Sequence, residues 1–97
     1  MSTEGEAGNL VRDNPERQRF ELATTAGLAV ADYRRDGNIL TIFHTEVPPA
    51  LRGQGIGEKL VRGVLDEMRQ QGLKVVPHCW FVREFLATHP GYHDLVA

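Results

Sequence analysis

The chain has 97 residues, 41% of them apolar and 25% charged, with a net charge of −2 and a pI near 6.0. That length suits one small domain with one core. No apolar run approaches the roughly 18 residues of a membrane span, and the mild acidity gives little support to a nucleic-acid-binding surface. The single cysteine, Cys79, excludes an internal disulfide and fits a reducing, cytoplasmic setting.

Residues 1 to 15 are polar, carry Gly5 and Gly8, and end at Asn14-Pro15. They have no basic start and no apolar h-region, so they do not read as a secretory signal. With little to bury, they are expected to form a disordered or loosely attached arm before a single domain over residues 16 to 97. RQRFELA follows, with Phe20 and Leu22 alternating with Arg19 and Glu21, a short strand with one wet face. Residues 24 to 27, TTAG, read as a turn, and LAVADYR over 28 to 34 as a second strand.

Asp36-Gly37 is the clearest hairpin signal, because a two-residue turn wants positive φ at its central positions. The next stretch, NILTIFHTEV over 38 to 47, is the longest strand candidate. It has Ile39 and Phe43 on one face and Leu40 and Ile42 on the other, which marks a central strand. Continued alternation puts His44 and Glu46 on the Leu40/Ile42 face. Pro48-Pro49 stops the strand.

Next, LRGQGIGEKLV packs Gly53, Gly55 and Gly57 into five residues and runs into Ile56, Leu60, Val61, Val64, Leu65 and Met68 at helical spacing. Gly72 closes that helix. LKVV over 73 to 76 is a short strand ended by Pro77, parallel to the strand before the helix through a right-handed crossover. A second helix carries Phe81, Phe85 and Leu86 and ends before Pro90. Trp80, Phe81 and Phe85 read as core packing. The fold class is therefore α+β, a mixed sheet with three antiparallel strands followed by helix, strand and helix.

A strand end, a glycine-rich turn and a helix N-terminus make an anion site, because the first helical amides lack partners and the macrodipole leaves positive charge there. Glycines let the backbone approach a phosphate, and Arg52 can add a charge-assisted contact. The stretch is not a P-loop, since Lys59 is followed by Leu60, and not a dinucleotide loop, since Glu58 stands where glycine or alanine is needed. What remains is Arg52-x-x-Gly55-x-Gly57, which resembles the acyl-CoA pyrophosphate loop of the GCN5-related N-acetyltransferases.

HTEVPPALRGQGIGEKLV, GLKVVPHC and HPGYHDLV together resemble a small branch of that superfamily, the YjdJ-type or N-acetyltransferase domain-containing proteins, over about residues 18 to 96. The resemblance implies a reduced acetyltransferase fold and acetyl-CoA as co-substrate. On that resemblance the backbone of Arg52, Gly53, Gln54, Gly55, Ile56 and Gly57 holds the pyrophosphate. It also implies that Glu46 and Val47 lie along the pantetheine, and that the Leu73 to Val76 strand splays away to bring Cys79 near the thioester. The acceptor it implies is an unidentified amine, small or peptidic. The chain departs from the branch at Trp80, where a small residue or proline is usual after the cysteine, and at Gly91, usually acidic. It is also shorter than ordinary acetyltransferases, whose extra helices and strands wall the acceptor site.

N-acetyl transfer needs a base for the amine, which Glu46 or His44 at the strand end can supply; solvated strand-end side chains are the plainer reading. Cys79 is a candidate covalent acceptor of the acetyl group, helped by a helix N-terminus, against the alternative of a small buried apolar residue. Tyr92 reads as closing the core and His89 as bonding helix-end carbonyls. No histidine pair has zinc-site spacing. The expected function is acetyl-CoA binding with N-acetyl transfer; the alternative is a non-catalytic CoA-binding or interaction module on the same fold.

Overall fold

The computed structural model describes residues 9 to 97. Its sheet has five strands in the order of the chain: β1 (Arg12–Asn14), β2 (Arg19–Thr24), β3 (Gly27–Asp36), β4 (Ile39–Glu46) and β5 (Lys74–Pro77). The first four are antiparallel, and β5 pairs with β4 in parallel. Between them runs helix α1 (Ile56–Gln71), and after β5 comes helix α2 (Trp80–Thr88). This is the α+β class read from the sequence, with one strand more than expected.

The extra strand corrects the view of residues 1 to 15 as an arm. Residues 1 to 8 lie outside the described residues, but 12 to 14 pair with β2 and Val11 is buried at 6% exposure. Asn14-Pro15 turns a hairpin instead of ending an arm: Gln18 takes φ 53 and its carbonyl accepts the Tyr33 amide. Side-chain bonds fasten this segment: the Tyr33 hydroxyl donates to Asp13 Oδ1 (2.7 Å), Asn14 Nδ2 to Glu21 Oε2 (3.0 Å), and Asn9 Nδ2, just before β1, to the Gly63 carbonyl (3.1 Å). Burial and the Asp13 hydrogen bond push the Tyr33 phenol far above its usual range.

The turn between β3 and β4 falls one residue later than expected, on Gly37 and Asn38, with Asp36 opposite Ile39. Its positive φ is taken by Gly37. The longest strand is β3, with ten residues, rather than β4, with eight.

One face of the sheet is covered. Phe20, Leu22, Ala29, Ala31, Tyr33, Leu40 and Ile42 form a single core with the apolar stripe of α1 and with Val82, Phe85 and Leu86 of α2. Helix α1 ends as the sequence dictates: Gly72, at φ 70, sends its amide to Arg69, and Leu73 sends its amide back to Met68, the paired bonds of a Schellman stop. The other face is open. Ile39 and Phe43 sit there at 36% and 45% exposure, so apolar residues on both faces of β4 did not mean helices on both sides. The Arg34 guanidinium lies over the Phe43 ring instead, 5.5 Å from its centroid.

Strand β4 holds a bulge that the sequence pattern does not announce. Tyr33 faces Ile42 but Asp32 faces His44, leaving Phe43 unopposed. An extra residue on one strand shifts the alternation by one. Beyond it, Thr45 shares the core face with Ala31, while His44 and Glu46 pair with Asp32 and Val30 on the open face. The expectation that His44 and Glu46 continue the Leu40/Ile42 face is thereby corrected.

Past the second helix, a 3₁₀ turn at Pro90–Leu95 carries the chain back to the sheet, where Val96 bridges to Val75. Arg69 grips this segment with two bonds to the Asp94 carboxylate, at 2.6 and 3.1 Å. The guanidinium lowers the Asp94 carboxyl below its usual value.

Candidate functional site

Strand β5 pairs with β4 only as far as Ile42 opposite Pro77, while β4 continues to Glu46. At that point both the His78 and the Cys79 amides converge on the Ile42 carbonyl, at 3.0 and 2.9 Å. The two strands part there, and the free edge of β4 opens onto a cleft of about 790 Å³. A cavity of that size falls within the range of small-molecule sites.

The cleft is built from three elements. The end of β4 gives His44, Thr45, Glu46 and Val47. The turn before α1 gives Leu51, Arg52, Gly53 and Gly55, and the first turn of α1 gives Ile56, Gly57 and Glu58. From α2 comes the ring of Phe81. Of the residues singled out from the sequence, His44, Glu46, Val47, Arg52, Gly53, Gly55, Ile56 and Gly57 are brought together here. Gln54 and Cys79 are not in the lining: the Gln54 side chain turns back to the Ala50 carbonyl at 3.4 Å, and Cys79 sits half-buried behind Thr45.

The three glycines of the turn have two different causes. Gly53 and Gly55 adopt φ near 80, a left-handed conformation that side chains disfavour, and a Cβ on either would meet nothing within 4 Å. Space is open above them. Gly57 has no such φ; a Cβ there would stand 2.7 Å from the tip of the Phe81 ring. Phe81 is thus a cleft wall rather than core, at 36% exposure, and Trp80 beside it is 65% exposed, so only Phe85 of the three aromatics is buried.

Gly55 caps α1 without any side-chain hydrogen bond, and the first intrahelical bond runs from Lys59 to Gly55. The amides of Ile56, Gly57 and Glu58 therefore have no partner within the helix, and the positive end of the helix dipole faces the cleft. Arg52, at the mouth, forms no salt bridge among the described residues. Three free amides, one free guanidinium and open backbone suit a phosphate ligand chemically.

At the other end, His44 Nε2 donates to Glu46 Oε1 over 3.4 Å, both side chains more than half exposed. Cys79 Sγ lies 3.4 Å from Thr45 Oγ1. Burial pushes the Cys79 thiol up, yet hydrogen bonding from the Thr45 hydroxyl and the amides of Val82, Phe81 and Thr45 outweighs it, and the thiol falls below its ordinary value. Tyr92 and His89 stand apart from the cleft lining. Tyr92 packs on Phe85 and donates its hydroxyl to Asp66, and His89 Nδ1 donates to the Phe85 carbonyl, both as the sequence reading had them.

Residues 19–95 match the family described as GCN5-related N-acetyl-transferase. The chain belongs to the GCN5-related N-acetyltransferase family. Among relatives, Protein NATD1 of Mus musculus is 32% identical over 90 residues, which span 88% of this chain and 82% of that one. Protein NATD1 of Homo sapiens is 36% identical over 52 residues, covering 54% of this chain and 46% of its own. The solution structure of a GCN5-like protein from Staphylococcus aureus, described as a candidate N-acetyltransferase, aligns with TM-score 0.68 and 31% identity over 92% of this chain and 89% of that one. The open strand pair, glycine turn and free helix start thus belong to an acetyltransferase-type domain with five strands and two α-helices among the described residues.

Thr45, Leu51, Glu58 and Phe81 line the cleft without having been singled out from the sequence as site residues. Phe81 left a signal, since Gly57 needs no positive φ and must therefore be small for a neighbour. Thr45 left none, because only the bulge turns it toward Cys79.

Proposed function

We propose that this domain binds acetyl-CoA in the cleft and transfers its acetyl group to an amine through Cys79. The observation that carries the reading is the set of unpaired amides at the start of α1, beneath open, left-handed glycine backbone. The pyrophosphate lies on the backbone of Gly53 to Gly57 with Arg52 beside it, and the pantetheine runs along Glu46 and Val47 toward the point where β4 and β5 part. There the Cys79 thiolate attacks the thioester carbonyl; the carbonyl carbon's bond to the CoA sulfur breaks, and CoA leaves as its thiolate. An amine then attacks the acetyl-cysteine while Glu46, supported by His44, takes its proton, and Cys79 is released as thiolate.

One observation favours the second reading, a CoA-binding module without turnover: Cys79 stands behind Thr45 rather than in the cleft lining. The two separate in one experiment. Purified protein is mixed with acetyl-CoA and a panel of primary amines, with CoA thiol release and the intact mass of the protein followed together. The proposal expects an acetyl adduct on Cys79. It expects Cys79→Ala to lower turnover by about 100-fold or more, and Glu46→Gln to lower it by about 100- to 10,000-fold. Binding without thiol release or adduct in the wild type, unchanged in both variants, would establish the module instead.

A further inference from the structure

We infer that Thr45 is the positioning residue for Cys79, its hydroxyl fixing the direction of the sulfur behind the cleft lining. The inference rests on the proposed route through Cys79, but its geometry stands apart from any ligand. Thr45 Oγ1, at 3.4 Å, is the side-chain hydrogen-bond partner of Cys79 Sγ among the described residues. Although Cys79 occupies the cap position of α2, its side chain closes no capping hydrogen bond. The hydroxyl is therefore the side-chain donor that can orient the sulfur, and the amides of Val82 and Phe81 add to its effect.

The bulge is what makes this contact. Without the extra residue at Phe43, strict alternation would turn Thr45 to the open face, away from Cys79. With it, Thr45 turns inward opposite Ala31 while also lining the cleft. The same irregularity fixes the other partner, since the Ile42 carbonyl beside the bulge accepts the Cys79 amide at 2.9 Å. Backbone and side chain of Cys79 are thus both tied to one short stretch of β4. In the attack, the sulfur lone pair becomes the new S–C bond and the hydroxyl's hydrogen bond is given up. Thr45 neither gains nor loses a proton, so it acts on the thiolate's population and direction and not as an acid.

The test is the pH dependence of Cys79 alkylation by iodoacetamide, without acetyl-CoA, in wild type, Thr45→Val and Thr45→Ser. Valine has nearly the shape of threonine and lacks the hydroxyl; amide spectra of each variant report the fold. Thr45→Val should move the alkylation midpoint up by about one pH unit, slowing the reaction near neutrality by about tenfold, and Thr45→Ser should restore it. An unshifted valine profile, or a serine variant that behaves like valine, would overturn the inference, the latter by pointing to packing. A shifted valine profile together with no acetyl adduct on wild-type Cys79 would support the positioning role and sink the proposed transfer route, so the two failures are distinguishable.

Discussion

Gly55→Asp should leave the domain folded and remove its affinity for acetyl-CoA. The position has φ 80 and no atom within 4 Å of a new Cβ, so the substitution meets no clash. Aspartate tolerates the left-handed conformation better than most residues, and a carboxylate at a helix cap can accept the free amides of α1. Those effects oppose the loss of glycine, and the net change in stability should stay within about 1 kcal/mol. For the ligand the same carboxylate is doubly adverse. It occupies the donors that would hold the pyrophosphate and places like charge beside it. Loss of one or two charge-assisted hydrogen bonds, at about 1.5–3 kcal/mol each, lowers affinity by about 100-fold or more. Gly55→Asn, with similar shape and no charge, should lose less. Calorimetric titration with acetyl-CoA, alongside a thermal melt, reads both quantities. Equal affinity in wild type and Gly55→Asp would remove the α1 start from the site.

Gly63→Ala should destabilise the protein even though alanine is the better helix former. The position lies in the middle of α1, where the exchange favours the helix by about 1 kcal/mol. Against that, the new Cβ would stand 2.7 Å from Asn9 Oδ1 and 2.9 Å from Val11 Cβ, closer than such atoms come in proteins. The segment carrying Asn9 and Val11 must move off the helix. Exposing the Val11 side chain costs about 1.5–3 kcal/mol, and the Asn9 bond to the Gly63 carbonyl goes with it. The net loss should be about 1–2 kcal/mol, lowering Tm by roughly 5–10 °C, with faster hydrogen exchange concentrated in β1. A raised Tm would mean that β1 contributes nothing to the folded state.

These two glycines also mark where the sequence was readable. The stretch from Gly53 to Gly72 carries local signals: glycines where φ turns positive, a 3.6-residue apolar period, and a glycine at the stop. Each depends on residues a few positions apart, so helix, cap and glycine turn are legible without the rest of the chain. The parallel pairing of β4 and β5 follows from the helix between them. By contrast, β1 is three residues, Arg12–Asn14, with no apolar alternation. Besides its pairing with β2, the segment is held by Tyr33 and Gly63, twenty and about fifty residues from their partners. No window on the chain contains that information.

The bulge in β4 is hidden for a related reason. Residues 39 to 46 alternate cleanly enough to read as a regular strand, and the slip is set by how β3 and β4 pair. One displaced residue changed the face of His44 and Glu46 and supplied Cys79 with Thr45. His44 and Glu46 still line the cleft, which opens where β5 ends and β4 runs on.

If the start of α1 receives the pyrophosphate of acetyl-CoA, its backbone amides must feel the ligand. Isotope-labelled protein titrated with acetyl-CoA, with the backbone amide resonances followed, shows whether they do. Shifts should concentrate at Gly53 to Gly57 and spread along Thr45 to Val47 and to Cys79. Resonances unmoved at millimolar acetyl-CoA would contradict it, and the glycine turn would then be a helix start and nothing more.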